Sequence, residues 1–270
     1  LEAEFILFCA GAAAYLVSAA AFIAAFIFSK DKVSRAGVWL SMAAIVLNGL
    51  SLIARWISSG HPPLTGIYET LSLFSFFIGI VFIFIVRKKW VKAGVLGVSV
   101  LPLILVFVLV ALINYSEAGA LAVSLRSIWL FIHVPIAIFS YALFGVAAVC
   151  GVLYLLKSRK RGDEPEGGRS HDINVIDKVV YRSVAGGFIM LTIAIVTGAV
   201  WAESAWGSYW SWDPKETWSL ITWFVYAIFL HTRLVKGWKG RKAAIIAIIG
   251  FVAVIFTYFG VNLIGGLHSY

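Results

Sequence analysis

Residues 93–113 read Ala93-Gly-Val-Leu-Gly-Val-Ser-Val-Leu-Pro-Leu-Ile-Leu-Val-Phe-Val-Leu-Val-Ala-Leu-Ile113, without one charged side chain. Roughly 20 apolar residues suffice for one helical crossing of a bilayer, so this stretch reads as a membrane span. The same pattern recurs on both sides of it. Upstream lie apolar runs at 5–28, 37–54 and 71–86; downstream lie 128–156, 179–201, 218–235 and 243–264. The run at 71–86 is short and is expected to extend upstream toward Tyr68. In lipid each run must satisfy its own backbone polar groups, which makes each a helix. The expectation is an all-α, polytopic membrane protein of about eight transmembrane helices, forming a single membrane domain over residues 1–270.

The composition agrees. Of the 270 residues, 61% are hydrophobic and 13% charged, with a mean hydropathy of +0.96. This excludes an ordinary soluble globule and a disordered chain. No polar stretch is long enough for a second domain of usual size. The first run lacks a basic leader and an A-x-A-like cleavage pattern, so it is expected to be a span. A net charge of +9 would point to nucleic acid in a soluble protein. Here the basic residues follow the loops instead. Nineteen of the 22 fall in four alternate connections: Lys30 to Arg35, Arg87 to Lys92, Lys157 to Arg182, and Arg233 to Lys242. The other face holds Arg55, Arg126 and Lys215. The positive-inside rule then places both termini outside and the loops at 55–70, 114–127 and 202–217 on the outer side. No nucleic-acid partner is expected. The cytoplasmic loop at 157–178, with Gly162, Asp163, Glu164, Pro165, Glu166, Gly167 and Gly168, is polar and is assigned no chemistry. Cys9 and Cys150 lie in apolar runs, and the chain has neither C-x-x-C nor C-x-x-C-H. No internal repeat is evident, which disfavours an inverted-repeat transporter.

The outer loop at 202–217 is unusual. Trp201, Trp206, Trp210, Trp212 and Trp218 make five of the chain's 11 tryptophans, and Tyr209 joins them. An interfacial aromatic belt would account for some of these. It does not account for the clustering, for Gly207, or for the turn Asp213-Pro214-Lys215-Glu216. A flat apolar platform for a large planar ligand does. Asp213 followed by Pro214 also reads as a helix start, with Asp at the N-cap and Pro at the first helical position.

Of the five histidines, His171 lies in the polar loop and reads as solvated. His61 falls in the first outer loop, His133 a few residues into the fifth run, and His268 beyond the eighth, all on the outer side. His231 lies 13 residues past Trp218, about 20 Å down a helix. An imidazole in hydrocarbon is a functional candidate, to be weighed against a packing role. His133 and His268 share one side and flank the Trp-rich loop in the chain. Two neutral imidazoles can ligate a haem iron axially, and indole faces can pack on the ring. No spacing favours zinc.

The segment Trp206-Gly-Ser-Tyr-Trp210-Ser-Trp212-Asp213-Pro-Lys-Glu-Thr-Trp218-Ser-Leu-Ile-Thr-Trp223 resembles the WWD signature of haem-handling membrane proteins. Gly60-His61-Pro-Pro-Leu-Thr-Gly-Ile-Tyr68-Glu69 and Val261-Asn-Leu-Ile-Gly-Gly-Leu-His268-Ser-Tyr are similar to the CcsA/ResC (CcsB-type) family of System II cytochrome c biogenesis. The likeness runs from about residue 37 to the end. It departs at Pro63-Leu-Thr-Gly, where the family more often has Pro-Leu-Ser-Asn.

The resemblance implies a component of a holocytochrome c synthase, or haem lyase. It acts in a bacterial inner membrane or its thylakoid equivalent, with the WWD loop on the periplasmic side. Haem b would be the substrate. An intramembrane site would use His231, with a second ligand from a ResB-type subunit. The outer site would use His133 and His268, with Trp206, Trp210, Trp212 and Asp213 shaping the platform. His61, Tyr68, Glu69, Arg126 and Lys215 would be accessory, one of the two cations facing a haem propionate. An apocytochrome c would bring its C-x-x-C-H motif, whose thiols add across the haem vinyls. A separate thiol-reducing protein would keep those thiols reduced. The residues also admit a b-type electron-transfer subunit, although His231 has no mate at its depth, and a haem exporter without synthetic activity.

Overall fold

The computed structural model describes residues 3–117, 121, 125–159 and 171–263. They form eight helices long and apolar enough to cross a membrane: α1 (Ala3–Phe28), α2 (Asp31–Ser59), α3 (Ile67–Arg87), α4 (Ala93–Ile113), α5 (Ile128–Arg159), α6 (His171–Trp206), α7 (Pro214–Val235) and α8 (Arg241–Phe259). A short 3-10 turn, Gly260–Leu263, follows. No strand occurs among the described residues. The chain is an eight-span polytopic protein. Where the sequence reads one membrane domain, its contacts resolve two compact units, Leu1–Val123 and Ser124–Tyr270.

Several helices overrun the apolar runs that announce them. Helix α3 starts at Ile67, upstream of its run, and α6 occupies 171–206 where hydropathy marks 179–201. Hydropathy reports only the part able to face lipid. Helix α6 continues beyond it by burying Ile173, Ile176, Val179 and Val180 on one face. Two loop assignments therefore contract. Residues 157–159 and 171–178 are helical, and 160–170 lie outside the described residues. At the Trp-rich loop, 202–206 finish α6 and 214–217 begin α7, leaving 207–213 as the connection.

In the first unit, lipid gives helices no hydrophobic reason to associate, so small residues and polar contacts do the joining. Gly11 lets α1 lie against the backbone of α2 at Ala44 and Asn48. The Phe22 ring fills the space left by Gly37 and Gly97. Ser18 Oγ donates to the Gly37 carbonyl at 2.8 Å, and Asn48 bonds Ser72 on α3. At one end of this unit Arg55 is buried between two carboxylates. Its Nη1 lies 2.6 Å from Glu4 and its Nε 3.0 Å from Glu69. Glu69 also accepts from the backbone N–H groups of Thr65 and Gly66, capping α3.

In the second unit α5 packs against α6 and α8, and α7 against α8. The Phe144 and Tyr226 rings stack at 3.6 Å, seated against Gly187 and Gly250. Ser140 Oγ donates to the Gly187 carbonyl at 2.8 Å. At the end where α6 and α8 begin, Arg233 grips Asp177 through two hydrogen bonds of 2.9 and 2.6 Å, and Gly240 N–H donates to the same carboxylate.

Candidate functional site

The opposite end of the second unit is where α5 and α7 begin and α6 and α8 finish. A cleft opens there, enclosing about 540 Å³ counted out to its open side, with walls from all four helices and the 207–213 loop. Its walls include His133, Tyr141, Ala194, Gly198, Tyr209, Trp210, Lys215 and Glu216.

His133 is half-buried on α5. Its Nδ1 lies 2.7 Å from the Ala194 carbonyl oxygen. A carbonyl only accepts, so Nδ1 carries the proton and Nε2 keeps the lone pair that a metal requires. Histidine ligands are commonly held this way, with the second nitrogen donating to a fixed acceptor. Gly198, one turn along α6, makes the approach feasible: a Cβ there would stand 2.7 Å from His133 Cε1 and 2.8 Å from Nδ1. Behind the imidazole, the Trp201 ring runs nearly parallel at 12°, with centroids 6.4 Å apart.

The tryptophans do not form one flat floor. Trp206 ends α6 and meets Trp201 edge to face at 4.8 Å. Trp210 and Trp212 form a second perpendicular pair at 5.7 Å and 89°. Trp210 lines the cleft, whereas Trp212 is 67% exposed. Trp212 also holds a φ of 59°, a left-handed conformation that costs a bulky L-residue about 1–2 kcal/mol. What fixes it is the helix start that follows. Asp213 is the N-cap of α7, accepting from Lys215 N–H at 2.9 Å, and Pro214 opens the helix. Glu216 completes the capping box, accepting from Asp213 N–H at 3.2 Å and Ser211 N–H at 2.8 Å. Asp213 is thus a structural residue of the loop. Replacing Trp212 by Gly should relieve about 1 kcal/mol of strain and raise the thermal midpoint in detergent, while weakening retention of a planar ligand. A fall in both would show that the indole holds the loop together.

The other sequence candidates lie elsewhere. His231 is exposed toward the far end of α7, beside the exposed Ile228, Leu234 and Val235. No hydrogen bond joins it to a described residue. Tyr68 and Glu69 are buried in the first unit with Arg55. His61 is in the same unit, its Nδ1 3.1 Å from the Pro62 carbonyl. Arg126 is exposed ahead of α5 and does not line the cleft. His268 lies outside the described residues. Sequence reasoning missed Ala194, Gly198, Tyr141 and Glu216. The Asp-x-x-Glu spacing could have revealed Glu216; nothing local marks the other three.

Eight spans, with an imidazole and the Trp210 indole on the wall of one cleft, define a polytopic membrane protein. The profile of the cytochrome C assembly protein family matches residues 64–268, and the chain belongs to that family. It is 43% identical over 229 residues to the cytochrome c biogenesis protein CcsA of Chlamydomonas reinhardtii, covering 82% of this chain and 64% of the alga's. To the CcsA protein of Synechococcus sp. strain CC9902 it is 36% identical over 291 residues, covering 96% and 95%. Among solved structures, the cytochrome c haem lyase CcmF shares the fold, with a TM-score of 0.70 at 16% identity. That match spans 96% of this chain and 45% of the lyase chain.

Proposed function

We propose that the chain receives haem b as its substrate and presents it, on the outer side of the membrane, for attachment to an apocytochrome c. The observation that carries this reading is the His133 imidazole on the cleft wall, its orientation held by the 2.7 Å contact of Nδ1 with the Ala194 carbonyl. Iron in a planar macrocycle suits one imidazole backed by indole and phenol walls. The family and its CcsA relatives support the assignment to cytochrome c assembly.

His268 supplies the second axial ligand of the outer site, and His61 is accessory to it. His231 belongs to a separate intramembrane site that a ResB-type subunit completes. The attacking nucleophiles are the two thiols of the client's C-x-x-C-H motif, kept reduced by a separate protein. This chain's own task is to hold the iron, exclude water and fix the macrocycle against those thiols, since positioning alone can supply a large part of a barrier.

The test uses the chain purified with and without its ResB-type partner, together with complementation of a strain lacking its own assembly component. Bound haem with a bis-imidazole spectrum and restored haem attachment are the expected results. Haem binding without attachment would reduce the protein to an exporter. Absence of both would end the haem reading.

A further inference from the structure

The end of the second unit opposite the cleft is strongly charged. The connection from α7 to α8 places Lys236, Lys239, Arg241 and Lys242 within seven residues, all four exposed. A basic connection is ordinary in a membrane protein; the way this one is held is not. Gly237 and Gly240 turn the backbone at φ of 63° and 68°. Trp238 N–H donates to the Thr232 carbonyl at 3.1 Å. Arg233 Nη1 donates to the Trp238 carbonyl at 3.3 Å, and Gly240 N–H to the Asp177 carboxylate at 2.8 Å. On this pinned loop two ammonium groups gather at one indole: Lys242 Nζ lies 4.8 Å and Lys236 Nζ 6.0 Å from the Trp238 ring centroid. Among the described residues no carboxylate pairs with any of the four cations. Asp177, which does reach the loop, is taken up by Arg233 and the Gly240 N–H. Four like charges on an ordered loop repel one another, and an anion among them removes that cost.

The residues just before the loop say what kind of anion. Leu234 and Val235, the last two of α7, are 69% and 70% exposed. Bare aliphatic side chains that run into an aromatic, cationic turn match a molecule with acyl chains at one end and a phosphate at the other. We infer that the α7–α8 loop is a binding site for an anionic phospholipid. Its phosphate is met by Lys236 and Lys242, with Lys239 and Arg241 adding to the attraction, and its acyl chains lie along Leu234 and Val235. A headgroup held there fixes the depth at which α7 and α8 leave the bilayer. It does so without touching the cleft, which opens at the other end of both helices.

The test is native mass spectrometry of the purified, delipidated full chain, titrated in detergent with phosphatidylglycerol or phosphatidylcholine. Wild type should retain phosphatidylglycerol in preference. One cation near a membrane surface is worth about fivefold in the attraction of an anionic lipid. Lys236→Gln combined with Lys242→Gln should therefore cut the preference by roughly tenfold or more. Lys88→Gln combined with Lys92→Gln removes the same charge from the connection between α3 and α4, and should leave the preference intact. All four lysines are exposed, so neither pair should disturb the fold. An equal loss from the Lys88 and Lys92 pair would mean that the charge acts diffusely, and the site would fall. Indifference of the wild-type chain to the headgroup would overturn it as well. So would displacement of the lipid by inorganic phosphate but not by chloride of equal ionic strength, which would make a soluble phosphate the ligand.

Discussion

Replacing His133 by Ala is expected to reduce haem attachment to background, with partial recovery when imidazole is added to fill the vacated coordination position. The size follows from position. The 2.7 Å contact of His133 Nδ1 with the Ala194 carbonyl favours the tautomer in which Nε2 would be the ligating nitrogen of the proposed site. Losing only the groups that orient a histidine ligand typically costs 10- to 100-fold, and losing the ligand itself should cost more. Gly198 provides an internal comparison. A methyl there would press on the imidazole at 2.7 Å and push it off its carbonyl partner. Gly198→Ala should therefore fall between wild type and His133→Ala, by roughly the orienting-group factor. Added imidazole should help it less, since the native ring still fills the space. Normal cytochrome c yield from a His133→Ala strain, measured by haem staining without imidazole, would end the ligand assignment.

The contrast between His133 and Gly198 shows what the sequence could convey. Uninterrupted stretches such as 93–113 have one physical solution in lipid, so the eight helices were legible from hydropathy. Asp213-Pro214 has nearly as narrow a meaning, because few residues start helices that way. Gly198 and Ala194 carry no such mark. They matter because α6 passes α5 at a particular height, a relation set by packing between distant residues. The tryptophans lie between these cases. Their clustering was legible, but neither their edge-to-face angles nor the left-handed turn at Trp212 was. The same limit explains α6, whose first turns are amphipathic and not apolar, and so read as loop.

His231→Ala should lower haem delivery about tenfold or more when haem comes only from the cytoplasm, while leaving the cleft and the fold intact. The side chain points away from the second unit, among the exposed Ile228, Leu234 and Val235. A polar ring on a lipid-facing stripe is costly unless something covers it. On the proposed reading, a second imidazole from a ResB-type subunit, with haem between the two, would remove that cost. The fold needs nothing from His231, so the variant should express normally. Haem supplied from the outer side should bypass the defect, because the His133 cleft is undamaged. Unimpaired delivery from the cytoplasmic side would make His231 a packing residue and leave the cleft as the chain's one haem position.

The Glu4–Arg55–Glu69 cluster bears on how the chain can be made. Its members emerge from the ribosome far apart, and Glu4 comes first. Until α2 follows, the Glu4 carboxylate has no cation, and an ion taken out of water without its partner is costly. Arg55 cancels that penalty only when the second helix turns back beside the first. Glu69 then arrives on the third helix and, by capping it, fixes where that helix starts. The three charges therefore favour one pairing of α1, α2 and α3: a nascent chain in which α2 does not return beside α1 keeps Glu4 and Arg55 apart, each an ion without its counter-ion, before the second unit has been synthesised.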